Sequence, residues 1–151
     1  MKIMVVGGGG REHAIIKKIK ENPQVTELYA LPGNGGIAKD ATCVDIAAKD
    51  VEGVVAFAKE KGIDFAVVAP DDPLVLGMVD ALNAIGIPCF GPDKKAAILE
   101  GSKVFSKNLM KKYGIPTARY ETFDDPAKVM DYIRAEGKYP VVIKADGLAL
   151  G

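Results

Sequence analysis

The 151-residue chain has one histidine, no tryptophan and two cysteines, and its 20 basic residues are matched by 20 acidic ones. Each shortage closes off a class of chemistry. A lone histidine, His13, leaves little from which to build a histidine triad or a zinc cluster. Cys43 and Cys89 stand apart, without metal-ligand spacing, in apolar strand-like surroundings. They read as free thiols of a reducing cytosol. A formal net charge of zero argues against nucleic acid or an anionic membrane surface as a main partner. No apolar run is long enough to span a bilayer, and the first apolar stretch meets glycine at Gly7 instead of extending into a signal peptide. A cytoplasmic protein is expected, one that acts on small molecules.

Glycine is plentiful, at 17 residues, and a hydrophobic content of 48% is ample for a core. The length suits one domain, or one plus a piece of another. The chain opens on an apolar strand, Lys2–Val6, that runs directly into Gly7-Gly8-Gly9-Gly10 and then Arg11-Glu12-His13. A parallel strand that ends in glycines and feeds a helix leaves backbone N–H groups free at the helix N-terminus, where the helix dipole adds partial positive charge. Without Cβ atoms in the way, a phosphate or carboxylate can approach closely. Arg11 could add a bidentate contact. The same glycines also suit a plain tight β–α turn, although four exceed what a turn needs.

The loop is not a dinucleotide fingerprint. Counted from Gly7 or Gly8, the third glycine of G-x-G-x-x-G is replaced by Glu12 or His13. The end of the second strand, Leu28-Tyr29-Ala30-Leu31-Pro32, has no carboxylate for ribose hydroxyls. A phosphorylated small molecule is preferred over a nicotinamide or flavin dinucleotide.

Strand and helix signals alternate along the chain. A helix is expected over about 11–21, a strand over 27–31, a loop at Pro32-Gly33-Asn34-Gly35-Gly36 and a short strand at 42–44. A helix over 51–61 follows, closed by Gly62. The run Phe65-Ala-Val-Val-Ala69 reads as a buried parallel strand. A helix over 73–85 and a strand over 87–90 complete a βαβ alternation. The fold class is therefore α/β, a Rossmann-like doubly wound parallel sheet. After Gly91-Pro92 the rhythm changes. Two short helices are expected, broken at Glu100-Gly101-Ser102, with Ser102 as N-cap of the second. Then come a strand near 118–122, a helix from Pro126 and a strand over 140–144. The last residues, Asp146–Gly151, read as the rising edge of a glycine-rich loop, so the chain is expected to be an N-terminal fragment.

Ligands of open parallel sheets bind at the carboxyl ends of the strands. The loops Gly7–His13, Pro32–Gly36 and Ala69–Pro73 fall there. Asp72, directly before Pro73, is the expected N-cap of the helix that follows. Asp71 is then free to accept hydrogen bonds from sugar hydroxyls, or to be a solvated loop acid. The Pro32–Gly36 loop could offer further N–H donors or be only a turn. His13 is expected to pack or cap. Lys103 begins a helix and Lys144 ends an apolar strand. A lysine in the latter place is unusual unless it meets an anion.

Taken together, these segments resemble the glycinamide ribonucleotide synthetases (phosphoribosylamine–glycine ligases) of the ATP-grasp superfamily. The carriers are Gly7–His13, Pro32–Gly36, Pro70–Leu74, Phe90-Gly91-Pro92, Glu100-Gly101-Ser102-Lys103 and Val142–Ala149. The combination of Gly-Gly-Arg-Glu-His with Ile-Lys-Ala-Asp-Gly-Leu-Ala at this separation is specific. The resemblance implies a pre-ATP-grasp domain over 1–101 and the truncated start of an ATP-grasp domain over 102–151. It implies that Gly8, Gly9, Gly10, Arg11 and Glu12, with Asn34 and Gly35, line the phosphoribosylamine side. Asp71 falls where the family generally has Glu, one methylene longer. Lys103, Lys144, Gly147 and Gly151 match positions on the ATP side, and Leu150 stands where alanine is usual. No catalytic residue or metal ligand is assigned within the chain; ligands for Mg2+ are expected downstream of Gly151.

The implied reaction joins glycine to 5-phosphoribosylamine at the expense of ATP, through glycyl phosphate, in purine biosynthesis. By itself this fragment is expected to be inactive, and a monomer. Two rivals remain: another ATP-grasp ligase, against which Arg11-Glu12-His13 argues, and a non-catalytic phosphosugar- or nucleotide-binding module.

Overall fold

The apolar run Ile3–Val6 has no polar alternation, which is the mark of a strand buried on both faces. In the computed structural model, which describes residues 1–148, it forms the central strand β1 (Lys2–Gly7) of a five-stranded sheet. The other strands are β2 (Glu27–Pro32), β3 (Thr42–Cys43), β4 (Phe65–Val68) and β5 (Cys89–Phe90). All neighbours pair in parallel, in the order β3-β2-β1-β4-β5. Successive strands are added to one side of β1 up to β3 and to its other side from β4 onward, so the switch point lies between β1 and β4 and the crevice of the sheet at their carboxyl ends.

Alternate residues of the strands feed two cores. Met4, Val6, Leu31, Ala66 and Val68 pack with helix α2 (Val51–Lys61) and with α3 (Asp71–Leu76), α4 (Met78–Ala84) and α5 (Lys94–Gly101). Val5, Ala30 and Val67 pack on the other face with Ile16 of α1 (Gly10–Lys20) and with Ile37. Met4, Val5 and Val6 are fully buried. Each such side chain contributes about 1.5–3 kcal/mol of transfer free energy. The expected doubly wound α/β sheet is therefore the one observed.

Register sets the loops. Gly7 pairs with Pro32 and Val6 with Val68, so the chain leaves β1, β2 and β4 at one level. Helix α2 has the expected limits: Asp50 accepts from Gly53 N at 2.9 Å, and Gly62 closes it in the left-handed conformation at φ 62°.

Two expectations change here. The helix expected over 73–85 is two helices, divided at Gly77 with φ 92°. Asp72 is not the N-cap. The helix begins at Asp71 after Pro70, and the Asp72 carboxylate pairs instead with Lys49 Nζ at 2.5 Å. An available cation in the β3–α2 connection outcompetes the local capping geometry.

The described residues divide into two compact units, Met1–Gly101 and a second beginning at Ser102. In the second, Ser102 caps α6 (Lys103–Lys112) by accepting from Phe105 N at 3.0 Å. Asp125 caps α7 (Pro126–Glu136) through Ala127 N at 2.8 Å. The strands expected at 118–122 and 140–144 are absent among the described residues. A strand exists only through its ladder. Val142 and Ile143 are 80% and 69% exposed, with no strand beside them.

Candidate functional site

The Gly7–Gly10 loop is held from within by Glu12. This residue is N3 of α1, and its Oε2 accepts the Gly9 N–H at 2.6 Å. That is the reciprocal half of a capping box, written with glycine at the N-cap. Glu12 is only 3% exposed, and its other oxygen, Oε1, is buried without a hydrogen-bond partner. The nearest cation, Arg11 Nε, stands 3.9 Å away on a side chain 73% exposed. Such an orphaned acceptor costs about 1–3 kcal/mol unless something donates to it.

The glycines are required by this packing. A Cβ on Gly7, at φ 125°, would lie 2.7 Å from Glu12 Cγ and 2.8 Å from Pro70 Cγ. A Cβ on Gly8 would lie 2.5 Å from the Gly33 carbonyl oxygen. Gly10 and Gly35 differ, since a Cβ on either would meet nothing within 4 Å. The Gly10 and Arg11 amides are also among the first N–H groups of α1, which have no partner inside the helix. The loop is closed underneath and open above.

Asn34 ties the second loop to the first. Its Nδ2 donates to the Gly8 carbonyl at 2.7 Å, while its Oδ1 accepts from Gly36 N at 2.7 Å and Ile37 N at 2.9 Å. Gly33 N donates to the Gly7 carbonyl at 3.2 Å. The Asn34 side chain is thus committed to bracing the two loops. His13 supports the same loop from the α1 side. Its Nε2 lies 2.9 Å from Asp40 Oδ2, and Lys20 Nζ reaches the other Asp40 oxygen at 3.2 Å. The hydrogen bond from His13, followed by that from Lys20, holds the Asp40 carboxyl below the ordinary range.

Asp71 sits at the end of β4 in the first turn of α3, its Oδ1 accepting from Asp72 N at 3.1 Å. Gly8, Gly9, Gly10, Arg11, Glu12, Asn34 and Gly35 gather in the two loops beside β1 and β2, and Asp71 follows the third strand of that edge. In the second unit, Lys103 Nζ donates to the Gly147 carbonyl at 2.5 Å. Lys144 is exposed. Gly151, and Leu150 beside it, lie outside the described residues. The loop-bracing roles of Asn34 and His13 are spatial and were not apparent from the sequence. The spacing of Gly9 and Glu12, N-cap to N3, is the local signal that could have shown the cap. Of the two thiols, Cys89 is pushed up to about 11 by burial and is unreactive at neutral pH.

Among the described residues there is no group of three or more His, Cys, Asp or Glu side chains that could hold a metal ion. No helix among them is long and apolar enough to cross a membrane.

Residues 1–100 match the family model described as phosphoribosylglycinamide synthetase, N domain. Residues 101–151 match the one described as phosphoribosylglycinamide synthetase, ATP-grasp (A) domain. The chain belongs to this family. Its relatives include the phosphoribosylamine–glycine ligase of Agrobacterium fabrum, 54% identical over all 151 residues, which make up 36% of that protein. The ligase of Caldanaerobacter subterraneus subsp. tengcongensis is 49% identical over the same span, again 36% of its length. The chain thus spans about a third of the length of the curated relatives it matches. Among solved structures, the phosphoribosylamine–glycine ligase of Thermotoga maritima has a TM-score of 0.74 at 36% identity, covering 98% of this chain and 34% of that one. The biotin carboxylase domain of a single-chain bacterial carboxylase has a TM-score of 0.72 at 16% identity, covering 97% of this chain and 37% of the other. That second likeness is one of fold. The family drawn from the Gly-Gly-Arg-Glu-His and Ile-Lys-Ala-Asp-Gly-Leu-Ala segments is the family the comparisons return.

Proposed function

We propose that these residues are the front part of a phosphoribosylamine–glycine ligase and that the loops after β1 and β2 receive the phosphoribosylamine. The observation that carries the reading is the Gly7–Gly10 loop at the switch point of the sheet. It is closed beneath by Glu12, open above at Gly10, and carries a buried Glu12 oxygen with no donor. Substrate phosphate suits the free amides of Gly10 and Arg11 and the Arg11 guanidinium. A sugar hydroxyl or the substrate amine suits the vacant Oε1 of Glu12. Asp71 accepts from the ribose, at the shorter reach of Asp. Asn34 and Gly35 contribute as the frame of the second loop.

In the reaction this reading implies, the glycine carboxylate attacks the γ-phosphorus of ATP and ADP leaves. The amine of phosphoribosylamine then attacks the glycyl phosphate carbonyl and phosphate departs, leaving an amide. On this reading Lys103 and Lys144 serve the nucleotide phosphates, where cationic donors offset developing charge, and the resemblance assigns Gly147 and Gly151 to the same ligand. Two thirds of the relatives' length lies outside the match, so on this reading the 151 residues alone have no ligase activity. The setting is cytoplasmic.

The test is titration of ribose 5-phosphate into the 15N-labelled chain, followed by NMR. Saturable shifts at Gly8–Glu12 and Asn34–Gly36, lost in Arg11→Ala, are expected. Shifts confined to other residues, or none, would overturn the assignment of this site.

A further inference from the structure

The N-terminus of α6 is already filled, by the chain's own carboxylate. Ser102 Oγ donates to Asp146 at 3.1 Å to Oδ2 and 3.3 Å to Oδ1. Val104 N donates to Asp146 Oδ1 at 3.1 Å. The next residue, Gly147, accepts from the Lys103 ammonium at 2.5 Å. Three successive residues at the start of α6 thus grip two successive residues more than forty positions away. The grip favours the ionised acid: the Asp146 carboxyl is held below its ordinary range, chiefly by the Val104 backbone hydrogen bond. Residues 146 and 147 open the glycine segment, and the Lys103 ammonium donates to the second of them.

This arrangement separates two duties that a helix N-terminus can perform. The Val104 N–H is spent on Asp146 and the Phe105 N–H on Ser102 Oγ, so these two donors hold the chain and do not face an external anion. The Lys103 side chain remains as the group that can turn toward a phosphate. A lysine side chain is flexible and loses rotamer freedom when fixed. Holding the Gly147 carbonyl in place beside it gives the ammonium a defined station.

We propose that Asp146 is a positioning residue for nucleotide phosphate binding: it pins Asp146-Gly147 to the start of α6 and thereby sets where the Lys103 ammonium stands. The inference rests on the reading of Lys103 as a phosphate contact. It assigns a role to a residue that the family resemblance left without one. A helix cap that only stabilised the second unit would show the same hydrogen bonds, and the two roles are separable by coupling.

The experiment titrates ATP into the 151-residue chain and follows Lys103, Gly147 and Val104 by NMR, which reads affinities into the millimolar range. Four proteins are compared: wild type, Lys103→Met, Asp146→Asn and the double variant. Asn keeps an acceptor for Val104 N, so unit 2 stays capped; unchanged α7 amide shifts certify that. Asp146→Asn is expected to weaken ATP about fivefold or more and to add nothing in the Lys103→Met background. Equal weakening in both backgrounds means a structural cap and overturns the inference alone. ATP binding that needs Lys103 and ignores Asp146 does the same. Affinity unchanged by Lys103→Met, or no ATP effect on the wild type, overturns the phosphate reading and the inference with it. If Asp146→Asn disturbs α7, Ser102→Ala replaces it, with the same expectation of coupling to Lys103.

Discussion

Glu12 and Gly9 share one hydrogen bond, from the Gly9 N–H to Oε2 at 2.6 Å, while the second oxygen of the same buried carboxylate accepts nothing. One half of the side chain builds the loop and the other half waits for a donor. Glu12→Ala removes the cap and is expected to cost about 1–2 kcal/mol of stability. Glu12→Gln keeps an acceptor for Gly9 and should retain most of that stability, yet still weaken ribose 5-phosphate, because an amide N–H then replaces one acceptor oxygen. Urea denaturation and ligand titration of both variants separate the two halves. Equal stability loss in the two variants would contradict this division.

The two open glycines allow a cleaner separation of fold from binding. Gly10→Ala places its methyl where no atom lies within 4 Å, so the protein should fold with stability unchanged or slightly raised. An anion approaching that amide would meet the methyl, and ribose 5-phosphate affinity should fall about tenfold. Gly8→Ala is the opposite case. Its Cβ would sit 2.5 Å from the Gly33 carbonyl oxygen, so the melting temperature should drop whatever happens to the ligand. A Gly10→Ala protein that binds normally would remove the anion from this amide.

Asn34→Ala cuts the hydrogen bond that joins the loops after β1 and β2 and two more that hold the second loop together. A loss of about 1–3 kcal/mol is expected, together with faster amide exchange at Gly36 and Ile37. Asn34→Asp keeps the acceptor and so protects those two amides, while losing the donor to the Gly8 carbonyl. Exchange that is equally fast in both variants would argue against the bracing role.

Asp40 gives a pH dependence whose sign follows from its partners. Its folded-state pKa lies below the ordinary 3.8, because His13 and Lys20 donate to the carboxylate. The group therefore adds stability above about pH 4 that is lost as the pH falls through the lower, folded value. His13→Ala should shrink the difference in stability between pH 6 and pH 3. The same acid sensitivity in the variant would show that another carboxylate is responsible.

These predictions follow from contacts the sequence discloses unevenly. The α/β order, the α2 limits and the Ser102 cap were legible because a cap is chemistry among residues three or four apart, and because Ile3–Val6 and Phe65–Val68 lack polar alternation. The division of the helix over 73–85 at Gly77 is a backbone choice of one glycine, and Asp72 was drawn away by Lys49, a partner from another element. The segments at 118–122 and 140–144 have strand composition but no ladder, and composition does not carry pairing. In the candidate site, the gathering of Gly8–Glu12 and Asn34–Gly35 was legible from the rule that ligands meet the carboxyl ends of strands. The Asn34 brace, the His13–Asp40 pair and the grip of Ser102 and Val104 on Asp146 were not. Each joins residues from 26 to 44 positions apart in partners no local pattern specifies.

The most direct measurement joins residues 1–151 to the remaining part of the Agrobacterium fabrum relative and follows ADP release with glycine, phosphoribosylamine and ATP. The account predicts release that requires all three substrates and is sharply reduced by Lys144→Met, with Asp71→Ala raising the KM for phosphoribosylamine more than that for ATP. A folded hybrid that releases no ADP while the parent ligase is active, or one indifferent to phosphoribosylamine, would contradict it.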